Sequence, residues 1–520
     1  MSLVHPVNVP RRPVSLLEPV IGPRRYARLA DGQFQRRLAG RTIWNVNSTA
    51  TGGGVAEMLQ VLVGYLQDLG IPAGWLVITG DAGFFAITKR LHNQIHGRLS
   101  GSPLGAAETA HYAEILAANA VELRARVAPG DVVLLHDPQT AGLAAPLAQA
   151  GARVVWRCHI GVDWENDATR GGWEFLRPHL AAAEAYVFSR REYVPPWIPA
   201  EKVSIIPPSI DPFSPKNQDL DTGTVQAILA RLGVLDRPAP AVPARFVRRD
   251  GNVDTVTRPA VIIGEGRPGP DDPMLLQVSR WDRLKDMAGV MRGFADHALP
   301  GGEGHLVLAG PSVKDVSDDP EGAAVYGECL LQWQKLSPAA RARILLVTLP
   351  LNDIDENAAM VNALQRHATV IVQKSLAEGF GLTVAEGMWK GRPVIGSAVG
   401  GIIDQVGEGT GILLPDPADL EAFGSAARLL LDDRDQAARM GMAAHAHVQQ
   451  RYIGDVHLLR YARLLGTLIG QEQRRSVPPS HNGHQPVPRH DRVADACRNR
   501  ATWTVRPDAD LAGDAAAGAR

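Results

Sequence analysis

Short apolar runs recur along this chain, and amphipathic stretches separate most of them. The first set falls at 42–46, 75–78, 132–135, 154–156, 185–188 and 203–206. Between the first two runs, Val55, Met58, Leu59, Leu62, Leu66 and Leu69 lie at helical spacing and define one apolar face. Continuous apolar strands alternating with amphipathic helices are the pattern of a parallel sheet covered on both faces. A Pro-rich break follows at 207–215, reading PPSIDPFSP. The rhythm then restarts, with runs at 274–278, 306–308, 344–347, 369–372, 393–395 and 411–414. The expected fold is α/β: two doubly wound Rossmann-like domains facing across a cleft, hinged near 207–215, with ligand between them.

The same pattern sets the domain limits. Residues 1–40 form a Pro- and Arg-rich N-terminal extension of weak helical character, and 41–212 the first domain. Residues 213–454 form the second, with a Pro-, Arg- and Gly-rich insertion at 236–272 that lacks a helical period. A helix over 455–472 is expected to pack back on the first domain, and 473–520 reads as a disordered tail.

Composition narrows the function classes. An apolar content of 45% over 520 residues supports large packed cores. A net charge of −1 gives no footprint for nucleic acid or an anionic membrane. Cys158, Cys329 and Cys497 stand far apart with no Cys/His cluster, so neither a disulfide framework nor a zinc site is indicated. The N-terminus lacks a signal-peptide layout and no run is long enough to span a membrane, so the cytoplasm is the default location.

The chemistry concentrates at 371–404. Glu378 and Glu386 stand eight apart around Gly379-Phe380-Gly381, after an apolar run at 368–372 and before a helical pattern at 384–390. Strand, glycine turn and helix start present backbone N–H groups to an anion, and two adjacent carboxylates can hold sugar hydroxyls. That combination suggests a nucleotide-sugar site, although a plain turn with a solvated Glu386 satisfies the same residues. In the first half, Gly52, Gly53 and Gly54 open a helix after the first strand, which lets a diphosphate approach the backbone; a flexible loop is the alternative. Arg280 and Lys285 follow the strand at 274–278 and suit a diphosphate, where a solvated basic turn is the alternative. His136 and His159 fall at strand ends, as either structural or site residues.

Other signals are set aside. The run from Gly264 to Gly269 has GxGxxG spacing, but Pro268 and Pro270 block a following helix. The pairs Asp219/Asp221, Asp353/Asp355 and Asp508/Asp510 resemble metal-binding triplets, yet read as solvated loop residues.

Taken together, WNVNSTATGGGVAEML, LHDPQT, VVWRCHI, IIPPSIDPFSPKN, LQVSRWDRLKD and NALQRHATVIVQKSLAEGFGLTVAEGMWKGRPVIGSAVGGI resemble the retaining glycosyltransferases of family four. Within it they look most like the trehalose glycosyltransferring synthases, and the trehalose phosphorylases share much of the pattern. The resemblance covers roughly 40–470 apart from the insertion. It implies a GT-B fold with an N-terminal acceptor domain and a C-terminal nucleotide-sugar domain. It also implies transfer of glucose from ADP-, UDP- or GDP-glucose to free glucose.

Residue by residue, the resemblance puts Arg280 and Lys285 on the leaving diphosphate and Glu378 on the donor sugar, with His159 near the transferred sugar. Gly53, Gly54, Gly379, Phe380, Gly381 and Leu382 line the donor, and Glu386 binds its ribose. Asp137 and Gln139 are acceptor-side candidates. Similar enzymes carry an Asp after His-Ile, where this chain has Gly161; Asp163 is the nearest substitute on the acceptor side. No metal is obligatory, with magnesium at most stimulatory, and a homodimer is expected by resemblance alone. Open alternatives are a trehalose phosphorylase, a transferase with another acceptor, and a non-catalytic nucleotide-sugar sensor.

Overall fold

The apolar runs form the strands of two parallel sheets. The first sheet contains β1 (Val4–Pro6), β2 (Ile43–Asn47), β3 (Ala73–Ile78), β4 (Val132–His136), β5 (Arg153–Cys158), β6 (Ala185–Phe188) and β7 (Val203–Ile205), in the order β1-β3-β2-β4-β5-β6-β7. The rest of the chain supplies β8 (Arg245–Val247) and β9 (Val253–Thr255), which pair only with each other. It also supplies β10 (Val261–Ile263), β11 (Met274–Val278), β12 (His305–Pro311), β13 (Ile344–Leu349), β14 (Val370–Gln373), β15 (Val394–Ser397) and β16 (Gly411–Leu414). These last seven order as β10-β13-β12-β11-β14-β15-β16. Only the edge strands β1 and β10 run antiparallel to their neighbours within the two sheets. The structure is a computed structural model, and it describes residues 2–50, 53–99, 101, 104–236, 242–313 and 320–476. Both sheets belong to one compact unit spanning residues 1–471.

Strands β4, β6, β13, β14 and β15 are buried at every position, which is why they read as unbroken apolar runs rather than alternating ones. In the first sheet the order reverses at β2, between β3 and β4; in the second it reverses at β11, between β12 and β14. Loops leaving the carboxyl ends of strands at such reversals make the ligand crevice of open α/β sheets. Among the described residues no helix is long and apolar enough to cross a membrane. Cys158 and Cys329 are buried and unbridged.

Several expectations change. The N-terminal extension is more than weakly helical: β1 adds to the sheet edge, and Arg12 N donates to Gly64 O at 3.2 Å. A methyl at Gly64 would stand 2.9 Å from Pro10 O, so glycine permits this close approach. The helix Gly53–Asp68 is consequently covered on a second side, with Met58 and Val63 packed against Val9. The insertion contains the β8-β9 hairpin and β10, which extends the second sheet at β13. Strand pairing there rests on partners remote in sequence, which a search for helical period does not detect.

Asp353 and Asp355 are not loose loop residues. Asp353 caps the helix Ile354–His367, and both carboxylates take part in ion pairs. Asp221 caps the helix Thr222–Leu232, while Asp219 is exposed and pairs with Arg366 at 2.9 Å. Asp508, Asp510 and Cys497 lie outside the described residues, as does 477–520 of the expected tail. The last helix runs Gly454–Ser476, through the first residues assigned to that tail. Tyr461 and Leu468 of this helix take hydrogen bonds from Arg157 (3.0 Å) and Arg153 (2.6 Å) of β5.

Candidate active site

In the second lobe the site grows from the ends of β11 and β14. Gln277, near the end of β11, donates to Lys285 O at 2.6 Å, and Leu376 N donates to Leu284 O at 2.7 Å. Behind them the fully buried Lys374 pairs with Asp286 and donates to Pro417 O at 2.6 Å. A buried ammonium left without its carboxylate is strongly unfavourable, so this pair fixes the loop that presents Lys285. The Lys285 ammonium then pairs with Glu378, whose same carboxylate oxygen accepts from Gln373 and Ser375 at 3.3 Å each.

The glycine turn after Glu378 has a stated backbone need. Gly381 sits at φ 81°, in the left-handed region, and starts the helix Leu382–Trp389. Gln405 donates to Gly381 O (3.3 Å) and Gly401 O (3.1 Å), holding the turn in place. A Cβ built on Gly54 would stand 2.9 Å from Leu382 Cδ1. The starts of the helices Gly53–Asp68 and Leu382–Trp389 therefore converge, one from each lobe. Paired helix N-termini are suited to an anion.

The first lobe contributes a histidine pair and an aspartate at the ends of β4 and β5. His136 Nδ1 and His159 Nε2 lie 3.0 Å apart with the rings stacked, and His136 Nε2 meets Asn45 Oδ1 at 3.1 Å. Arg157 Nε approaches the His159 ring at 3.2 Å. Burial first, and Arg157 second, push His136 down to about 3 and His159 well below the usual imidazole range. Asp137 has φ 64°, unusual for a side-chain-bearing residue, and accepts from His159 N at 2.8 Å. Burial raises its carboxyl to about 7, against the opposing pull of the His159 N–H and Arg157. Gln139 lies in the following turn, Pro138–Leu143, partly exposed.

The lobes meet at Gly379. A Cβ there would lie 3.8 Å from both His159 O and His96 Nε2. Tyr193 donates its hydroxyl to Glu378 O (3.1 Å) and to Gly379 O. Beside it, Arg190 donates to Asp163 (2.7 Å) and Gly400 O (2.6 Å) and pairs with Asp404 (3.0 Å). Asp163 Oδ2 accepts from Gly400 N at 2.8 Å. These contacts form a latch between the lobes.

Not every candidate joins the cluster. Arg280 is 67% exposed and pairs with Asp282 at 3.3 Å, apart from Lys285 and Glu378. Asp163 is engaged in the latch, both oxygens taken, rather than presented to an acceptor. The Tyr193 ring occupies the space beside Gly161: a Cβ at that position would fall 2.2 Å from Tyr193 Cγ. Glu386 is buried, one turn along its helix from Leu382, and faces Lys216 Nζ at 3.5 Å; Lys216 also meets Glu57 at 3.3 Å. The carboxylate of Glu386 is the leading cause that raises the Lys216 ammonium pKa. Sequence reasoning missed Tyr193, Arg190, Lys216 and His96. Of these, Lys216 lay inside the quoted motif IIPPSIDPFSPKN, and His96 carried a signal in its spacing of four from His92, at the end of the helix Ala82–Ile95, the two rings stacked at 4.6 Å.

Two Rossmann-like lobes with a cation–carboxylate cluster and converging helix starts at their carboxyl edges define a GT-B glycosyltransferase. Comparison with known proteins agrees. Residues 45–195 match the trehalose synthase N-terminal domain, and 351–447 match the glycosyl transferases group 1 domain. The chain is 35% identical to a trehalose synthase of Pyrococcus horikoshii and 33% identical to one of Rubrobacter xylanophilus, each over 437 residues that cover 84% of this chain and 92% of the relative. A trehalose phosphorylase of Grifola frondosa is 24% identical over 442 residues, covering 81% of this chain and 56% of that protein. Among solved structures, an α,α-trehalose-phosphate synthase (UDP-forming) from Burkholderia vietnamiensis aligns with a TM-score of 0.58 at 15% identity, over 84% of this chain and 98% of that one. The chain belongs to the trehalose synthase family of glycosyltransferases.

Proposed function

We propose that the protein is a retaining glucosyltransferase that makes trehalose from a nucleotide-glucose and free glucose. The observation that carries this reading is the Lys285–Glu378 pair just ahead of the helix Leu382–Trp389, where Gly379 meets the His159 carbonyl and the His96 ring of the first lobe across the cleft. Lys285 and the two helix starts oppose charge that grows on the leaving diphosphate, and Arg280 turns in from solvent to join them. Glu378 accepts from donor-sugar hydroxyls, and Glu386 from the ribose. His159, held neutral, exchanges hydrogen bonds with hydroxyls of the transferred sugar.

Glucose is α-linked in such a donor and in trehalose, so configuration is retained. A double displacement needs a free carboxylate at the anomeric carbon. Glu378 is tied to Lys285, and Asp137 to the His159 N–H. This favours a front-face step. The bond from the anomeric carbon to the diphosphate oxygen breaks, its electron pair leaving with the diphosphate. The acceptor hydroxyl bonds to the same face, and its proton passes to the departing phosphate oxygen. With fixed cations at the diphosphate, the reaction is expected to proceed without an obligatory metal.

The test is to incubate the protein with glucose and each of ADP-, UDP- and GDP-glucose in phosphate-free buffer and follow trehalose by NMR. Trehalose from at least one donor is the expected result. The likeness to trehalose phosphorylases supports a second reading, in which phosphate takes the nucleotide's place. Glucose 1-phosphate formed from trehalose and phosphate, with no trehalose from any nucleotide-glucose, would select it.

A further inference from the structure

The β8-β9 hairpin lies outside both sheets, yet ion pairs and hydrogen bonds hold it firmly. Arg248 donates to Asp254 at 2.6 Å and to both oxygens of Asp353 at 2.9 Å. Gln218 exchanges two hydrogen bonds with the Val247 backbone, at 2.8 and 2.9 Å. Gly251, at φ 88°, makes the turn. The tip so anchored overhangs a cavity of about 730 Å³ whose other walls include Gly54, Glu57, Lys216, Leu382 and Glu386. These walls run from the converging helix starts, where a diphosphate would lie, to the carboxylate assigned to ribose. The four residues from Leu382 to Glu386 advance about 6 Å along the helix. A base attached to that ribose would come next, against the hairpin.

Arg249 is the tip residue that spans this space. Its Nε pairs with Asp355 at 3.0 Å, and its Nη2 lies 3.9 Å from Glu57 of the opposite lobe. We infer that this cavity takes the nucleoside of the donor, and that Arg249 on the inserted hairpin reads the base. The inference rests on the transferase reading of Glu386. A guanidinium only donates hydrogen bonds. It therefore matches the carbonyl edge of guanine or uracil, and matches poorly an adenine edge that places an amino donor beside its acceptor nitrogen. Arg248 has both of its terminal nitrogens hydrogen-bonded to carboxylates and anchors the hairpin, whereas Arg249 is held closely only through Nε, with Nη2 at the longer 3.9 Å from Glu57.

The experiment measures Kd of the full chain for ADP, UDP and GDP by calorimetry, for wild type, Arg249→Ala and Arg249→Lys, with melting temperature as a check on folding. Wild type is expected to bind GDP or UDP more tightly than ADP. In Arg249→Ala the tighter of those two should weaken by about 10-fold, while ADP changes by less than about 2-fold. Arg249→Lys should fail to restore discrimination, because lysine lacks the planar fork. Equal weakening of all three nucleotides, no change, a wild-type preference for ADP, or full restoration by lysine would each overturn the inference. Base discrimination that depends on Arg249 in a protein making no trehalose would leave the pocket standing and remove the transferase reading. Trehalose synthesis with discrimination untouched by Arg249→Ala would do the reverse.

Discussion

The two lobes bring opposite kinds of polar chemistry to one cleft. The second lobe holds charge in pairs: Lys285 with Glu378 at the surface of the cleft, and Lys374 with Asp286 in the core behind it. At the ends of β4 and β5 the first lobe instead holds two histidines and an aspartate that are shifted away from their charged forms, with Arg157 beside them. His136 and His159 are pushed down, and Asp137 is pushed up to about 7. The difference follows from what each side is proposed to meet. A departing diphosphate gains negative charge and needs fixed cations and helix starts. Sugar hydroxyls carry no charge, and neutral donors and acceptors can recognise them without the cost of burying an ion.

The sharpest way to break this comparison is to discharge the second lobe. Lys285→Met and Glu378→Gln should each lower kcat by about 10²–10³. Loss of an equal factor from His136→Gln, which keeps a neutral hydrogen-bonding side chain, would erase the proposed division of labour. Initial rates at saturating donor and glucose, with melting temperature followed in parallel, separate catalysis from folding.

The latch tests whether the contrast depends on closure. Arg190 is only 7% exposed and reaches Asp163, Asp404 and Gly400 at once. Arg190→Met leaves two carboxylates facing each other across the lobe boundary. We expect about a 10-fold rise in donor KM. The ratio of donor hydrolysis to transfer should also rise, because water exclusion depends on the closed form. Glucose released without acceptor would be measured alongside trehalose; an unchanged ratio would mean the latch has no part in excluding water.

What the sequence showed and what it hid divide along physical lines. Strands buried on both faces leave unbroken apolar runs, so β6 and β11 were legible to the residue; β16, only partly buried, was marked by its apolar run all the same. Lys285, Glu378 and Glu386 sit within a few residues of glycines and strand ends that mark them. The latch is another matter: Asp163 and Gly400 are 237 residues apart, and Arg190 and Gly400 are 210. Nothing local distinguishes Arg190 from a surface arginine or Tyr193 from a core tyrosine. The same holds for β1 and β10, three-residue strands whose pairing partners, β3 and β13, are remote in sequence. Gly161 was visible as a departure, but the reason it is glycine, the Tyr193 ring beside it, required the fold.

The smallest effect tests the first lobe's neutrality directly, through stability rather than rate. Unfolded, His136 takes a proton near pH 6.5; folded, it does so only near 3. Its contribution to stability is therefore complete above about pH 6.5 and is lost as pH falls toward 3, amounting to about 0.7 kcal/mol between pH 7 and pH 6. Asp137 has the opposite sign. Folded, it holds its proton up to about 7, against an ordinary carboxyl near 3.9 unfolded. Lowering the pH from 7 to 6 thus relieves a penalty of about 1 kcal/mol. These two contributions oppose each other over that interval, and His159, also pushed down, adds to the histidine side. Asp137→Asn should expose the histidine loss, making stability fall more between pH 7 and pH 6. His136→Gln should do the reverse and make it fall less or rise. Urea midpoints at the two pH values would show this. If both variants kept the wild-type difference, the pair would already be charged at neutral pH, and the first lobe would differ from the second in geometry alone.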